Sequence, residues 1–171
     1  MNIKKFIQSK VDIDYFFIYG NLNLNKDYFI DKIDKGIKEN NNQNFNTNVK
    51  GFMTSWNYFL NDPEFLKLII PMLDFIDEEK IPVENFALSD AWGIKNVFSS
   101  FTQCHDHRRC KVSGALYLNK STQDLHFPQI NQTIKADTGN FVIFSSFLKH
   151  LTPKRISDLN EVKYGLAFNL K

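Results

Sequence analysis

The sequence predicts a mainly β fold with flanking helices, of the sandwich or jelly-roll kind. Three observations predict it. Two stretches in the first half carry apolar residues at helical spacing, and from Phe86 onward the chain breaks into short strand-like runs separated by polar turns. Leading helices followed by a series of brief strands match helices packed on a sheet, not alternating βα units.

At 171 residues the chain has the length of one domain that can bury a core without staples. We expect a single domain over 1–171, with a helix-and-strand part over about 1–85 and a metal-binding core over about 86–171. The formal net charge of +2 comes from interspersed Lys, Asp and Glu, so no basic block points to nucleic acid. Cys104 and Cys110 are the only cysteines, and they flank histidines instead of stapling distant segments, which fits a reducing compartment. No apolar run approaches the roughly 20 residues of a membrane span, and Met1 to Lys5 is not followed by a signal-peptide core. A soluble, cytoplasmic protein with no membrane partner is expected.

Residues 11–19 begin with alternation and end in an aromatic run, which reads as a strand, and Gly20 with the following Asn-Leu repeat makes a turn. Asp27 is placed to cap a helix in which Phe29, Ile30, Ile33 and Ile37 recur at helical spacing; Glu39 to Asn48 reads as an Asn-rich loop. Gly51 to Trp56 is a short aromatic segment of no defined type. Asp62-Pro63 is a helix start, a capping oxygen followed by Pro at the first helical position. Phe65, Leu68, Ile69, Met72, Leu73 and Ile76 then form an apolar stripe for one face of a sheet, with Pro71 expected to kink it. Strands follow at about 86–98, 112–118, 141–146 and 164–170. Trp92, Phe98 and Phe144 read as core, and His126 as a loop residue.

The chemistry concentrates in Cys104-His105-Asp106-His107, taken with His150. On an extended strand His105 and His107 project to one face and Asp106 to the other. Two imidazoles on one strand and a third from a neighbour can occupy one face of a metal ion and leave positions open for oxygen and substrate.

With the strands placed, His105-x-His107, then Ser113-Gly114-Ala115-Leu116-Tyr117-Leu118-Asn119, then Gly139 to His150, then Lys163 to Asn169 resembles the iron(II)/2-oxoglutarate-dependent oxygenases, in particular small ones of marine phages and bacteria. The resemblance covers about residues 90–170. It implies a double-stranded β-helix, a cupin-like jelly roll with the metal at its mouth. It implies iron(II), 2-oxoglutarate and oxygen, giving succinate, carbon dioxide and an oxidised substrate, in the host cytoplasm if the gene is a phage's.

Carried over residue by residue, the resemblance makes His105 the first metal ligand and His150 the distal one. The superfamily places a carboxylate where this chain has His107, and a third neutral imidazole leaves the site more cationic. A strand bulge could instead turn Asp106 inward; otherwise Asp106 supports the ligands from outside or is a surface charge. Lys163 stands where the superfamily keeps a cation for the far carboxylate of 2-oxoglutarate, and Arg155 is near enough in sequence to serve instead. Tyr117 matches a tyrosine that reaches the same carboxylate in a related prolyl hydroxylase subgroup, or is a barrel-wall aromatic. Asn96 and Asn169 fall near the pocket by the same register. Two rival readings use the same residues: a non-catalytic cupin-like jelly roll that binds a metal or small ligand, and a structural zinc site from Cys104, His107 and Cys110.

Overall fold

The computed structural model describes residues 1–11, 13–39, 47–79, 81, 83, 85–154 and 159–171, with backbone alone over 2–11 and 13. Among these residues the elements are β1 (Asn2–Val11), β2 (Ile13–Asn21), α1 (Lys26–Glu39), β3 (Val49–Lys50), β4 (Phe52–Met53), α2 (Pro63–Glu78), β5 (Leu88–Asn96) and β6 (Phe101–His105). They continue with β7 (Val112–Tyr117), β8 (Leu125–Phe127), β9 (Gln132–Ile134), β10 (Asn140–Ser145), β11 (His150–Thr152) and β12 (Lys163–Leu170).

Two antiparallel sheets result, one in the order β1-β2-β10-β7-β12-β5-β4 and one in the order β3-β6-β11-β8-β9. From β5 onward the chain passes back and forth between them: β5, β7, β10 and β12 lie in the large sheet, and β6, β8, β9 and β11 in the small one. That winding is the double-stranded β-helix, so the expected fold class is the one found. The N-terminal hairpin widens the large sheet through β2, whose Phe17 to Asn21 pair with Phe144 to Asn140 of β10.

Strand periodicity explains the apolar runs. Successive residues face opposite sides of a sheet, so a strand covered on both sides must be apolar throughout. Phe16 and Ile18 of β2, with Phe141 and Ile143 of β10, pack against Phe29 and Ile33 of α1 and Phe65, Ile69, Met72 and Ile76 of α2. Phe17, Val142 and Phe144 point the other way, to Tyr117, Leu125 and Phe127. Phe127 meets both Phe17 and Phe144 edge-on, with ring centroids 4.8 Å apart in each pair.

α2 begins as expected: the Asp62 side chain accepts from the Phe65 backbone N–H at 2.9 Å, and Pro63 takes the first position. Pro71 lies inside α2, which runs from Pro63 to Glu78. The cap of α1 differs from expectation. The Asn25 side chain accepts from Tyr28 N–H at 3.3 Å, and Asp27 falls in the first turn, where its charge suits the helix dipole.

Other departures have local causes. Residues 2–10 carry lysines at 4, 5 and 10 and were not expected to form a strand, yet β1 pairs along its length with β2 at the sheet edge, a place where charges are tolerated. Gly51 to Trp56 contains β4, which adds to the outer side of β5. Phe98 is 42% exposed in the turn after β5, not core. His126 lies on β8, not in a loop, with Nδ1 3.0 Å from Thr133 Oγ1. Residues 40–46 of the Asn-rich segment and Arg155 lie outside the described residues. No helix among the described residues is long and apolar enough to cross a membrane.

Candidate metal centre

The small sheet builds the centre. His105 ends β6 and His150 begins β11, and the two are direct Cα partners in the antiparallel pairing. Their ring centroids are 4.3 Å apart. His107 arrives differently from the expected strand alternation, because β6 stops at His105. Its backbone N–H donates to the Ser146 carbonyl at 2.7 Å, and its carbonyl accepts from Cys110 N–H at 2.8 Å, closing a turn. That turn lays the His107 ring parallel to His150, at an interplanar angle of 7° and 5.2 Å between centroids.

The result is a cluster whose candidate ligand atoms all lie within 4.8 Å of one another. His105 Nε2 and His107 Nε2 are 3.1 Å apart. Two nitrogens each about 2.1 Å from one ion at right angles are about 3.0 Å apart, so this spacing fits a shared divalent metal. Tautomers are set from outside. His105 Nδ1 donates to the Gln103 carbonyl at 2.8 Å and His150 Nδ1 donates to the Leu148 carbonyl at 3.1 Å; a carbonyl only accepts, so each Nδ1 carries the proton and each Nε2 lone pair is left for a metal.

Burial keeps these rings neutral. It lowers the pKa of His150 to about 3, with His105 and His107 adding repulsion, and that of His107 to about 4, with His105 the further cause. His105 is lowered by burial as well. The donor set is therefore three uncharged imidazoles, which suits iron, zinc, copper or nickel and disfavours magnesium.

Asp106 is not turned inward. Its carboxylate accepts from Arg108 Nε at 3.0 Å, so it stands outside the cluster as a paired charge. Among the described residues the only group of three or more His, Cys, Asp and Glu side chains suited to a metal is His105, His107 and His150, which leaves the Cys104–His107–Cys110 zinc reading without a site. Cys104 is exposed.

The three histidines open on a cavity whose other ionisable side chains, among the described residues, are Tyr117 and Lys163. Lys163 opens β12 and is 5% exposed. Its Nζ donates to the Gln123 carbonyl at 2.6 Å and sits 4.8 Å from the centre of the Tyr117 ring. Burial lowers the Lys163 pKa to about 7, against a smaller upward pull from Asp124 and Glu161. Burial also raises the Tyr117 hydroxyl, which keeps its proton. Asn96 and Asn169 do line the cavity: Asn96 Nδ2 donates to Gln123 Oε1 at 3.0 Å and Asn169 Oδ1 accepts from Ser113 Oγ at 2.8 Å.

Three positions at the candidate site were missed. Gln123 holds Lys163, Asn96 and the Ser100 carbonyl together, and nothing about a glutamine in a polar turn announces it. Trp92 and Phe144 are buried as expected, but both also form cavity wall, and Trp92 stacks on His107 with centroids 6.4 Å apart. A tryptophan flanked by Ala91 and Gly93 is the one available hint.

The fold and the imidazole cluster define a class: a double-stranded β-helix with a metal-competent mouth. Solved structures similar to the chain include prolyl hydroxylases and a protein of the 2OG-Fe(II) oxygenase family. The chain is similar to a viral collagen prolyl hydroxylase of Paramecium bursaria Chlorella virus-1 in a 2OG complex, with TM-score 0.66 and 14% identity over 89% of this chain and 94% of that one. A prolyl-4-hydroxylase of Pseudomonas putida gives TM-score 0.60 and 16% identity over 90% and 91%. HygX of Streptomyces hygroscopicus, with nickel and 2-oxoglutarate bound, gives TM-score 0.59 and 9% identity over 90% and 81%. No family model and no curated protein sequence matches the chain.

Proposed function

We propose that the chain is an iron(II)- and 2-oxoglutarate-dependent dioxygenase that hydroxylates or otherwise oxidises a substrate, releasing succinate and carbon dioxide. One observation carries the reading: three neutral imidazoles converge on a cavity whose other ionisable groups, among the described residues, are a buried lysine and a buried tyrosine. A metal site, an anion site and apolar walls are the parts this reaction needs. The nickel and 2-oxoglutarate held by HygX are in keeping with it.

Iron(II), when bound, supplies the oxygen-activating redox chemistry. The chain supplies the rest. His105, His107 and His150 hold the ion, with the Gln103 and Leu148 carbonyls fixing the first and last rings. Lys163 is poised near neutral pKa on a backbone carbonyl, and a carboxylate placed beside it restores its full charge. Tyr117, permanently protonated, is a second donor to the same group. Val49, Ile94, Leu125 and Phe144 give the cavity apolar walls. Arg155, outside the described residues, is the alternative cation.

The test is oxygen uptake and succinate release with iron(II) and 2-oxoglutarate in the absence of substrate, as slow uncoupled turnover. Turnover is expected to vanish in His105→Ala and His150→Ala, and KM for 2-oxoglutarate to rise in Lys163→Met. Metal binding without any 2-oxoglutarate consumption contradicts the reading and favours the non-catalytic jelly roll.

A further inference from the structure

The metal centre lies between two cavities. The inner one, about 80 Å³, contains the walls around Lys163 and Tyr117; the outer one is a groove of about 610 Å³. Val49, Trp92, His105, His107 and Asn169 line both. A water takes roughly 10–15 Å³, so of the two the inner cavity has room for a few waters or a compact acid and the groove has room for a ring-bearing molecule.

The groove has a distinct chemistry. Both tryptophans of the chain stand in it, their ring centroids 4.6 Å apart and their planes at 67°, forming a corner of two indoles. Trp56 is 38% exposed there, and the buried Trp92 indole N–H has no hydrogen-bond partner among the described residues. An aromatic ring packs well into such a corner. The charges favour an anion. Asp106 is engaged by Arg108, and Asp90 accepts from Ser89 Oγ at 2.7 Å with Lys171 4.0 Å away. Arg109 lines the same groove, exposed and without a partner among the described residues. Among the described residues the groove therefore sets Arg108, Arg109 and Lys171 against Asp90 and Asp106, an excess of one cation before a divalent metal adds to it.

We propose that this groove is the substrate site and takes a planar aromatic anion, its ring against the Trp56–Trp92 corner and its charge on Arg109. What then happens to the ligand rests on the oxygenase reading; the binding does not.

The experiment is calorimetric titration of the zinc-loaded protein with 2-naphthoate, 2-naphthamide and cyclohexanecarboxylate. Naphthoate is expected to bind about tenfold or more tighter than either control, because only it carries both an aromatic ring and a charge. Trp56→Ala and Arg109→Gln should each weaken it by about fivefold or more with zinc content unchanged. Equal affinity for the three probes, or no change in either variant, overturns the proposal. The iron(II)/2-oxoglutarate chelate is assayed on the same samples. Naphthoate selectivity without the chelate upholds the groove and removes the oxygenase reading. The chelate without naphthoate selectivity removes the groove proposal alone.

Discussion

His105 and His150, far apart in sequence, stand directly opposite one another across the β6–β11 pair with ring centroids 4.3 Å apart. Pairing register, not loop conformation, sets that distance. His107 depends instead on a turn anchored by its N–H on the Ser146 carbonyl. The centre therefore has two ligands on a rigid ladder and one on a tether.

Removing a ladder ligand should affect the metal most. His105→Ala and His150→Ala are expected to weaken zinc or iron(II) binding by about 100-fold or more, since even outer-shell partners account for 10–100-fold. His107→Asp should keep binding, because a carboxylate there restores a charged donor. Competition against a chromophoric chelator reads all three, with His126→Ala as the control; a loss in that control equal to the loss in His105→Ala contradicts the assignment.

Acid should destabilise the metal-free protein early. His107 and His150 have folded pKa values of about 4 and about 3 against about 6.5 unfolded, so the unfolded chain binds more protons between these limits. Stability is then full above about pH 6.5 and falls as pH drops towards 4, by on the order of 3 kcal/mol between pH 7 and pH 5. Urea unfolding of apoprotein at the two pH values measures it. The drop should shrink in the His107→Gln/His150→Gln double variant, and an unchanged drop there assigns the acid sensitivity to other groups.

Lys163 gives a signal of opposite kind. Its folded pKa of about 7 leaves it largely uncharged at pH 8, and a bound carboxylate raises that value, so 2-oxoglutarate should bind with uptake of about one proton at pH 8 and none at pH 5.5. Calorimetry in two buffers of different ionisation enthalpy counts the protons. No uptake at pH 8, or the same uptake in Lys163→Met, places the anion elsewhere.

Gly114 tests the packing between sheet and helices. A Cβ there falls 2.2 Å from the Phe168 ring, which itself packs edge-on against Phe65 of α2 at 6.0 Å. Gly114→Ala is expected to destabilise by about 1–3 kcal/mol, with Phe168→Leu recovering part of it in the double variant. Denaturant midpoints measure both, and an unchanged midpoint in Gly114→Ala means the contact relaxes freely.

The parts legible in the sequence are those with strong periodicity. β2 and β10 show as uninterrupted apolar runs because helices cover one face and the small sheet the other. The α2 stripe and its Asp62 cap show for the same reason. The small sheet did not show, since three-residue strands such as β8 and β11 are too short to display a period. The histidines were found by type and spacing, although His107 reaches the cluster through a turn and not through strand alternation. Gln123 and the Trp92 wall are products of tertiary contact, for which local sequence has no signal.

The most direct measurement is anaerobic addition of iron(II) and then 2-oxoglutarate to apoprotein, following the weak visible charge-transfer absorption of the chelate. The absorption should appear only with both present, vanish in His105→Ala and weaken in Lys163→Ala. Iron binding with no new absorption on adding 2-oxoglutarate contradicts the oxygenase account.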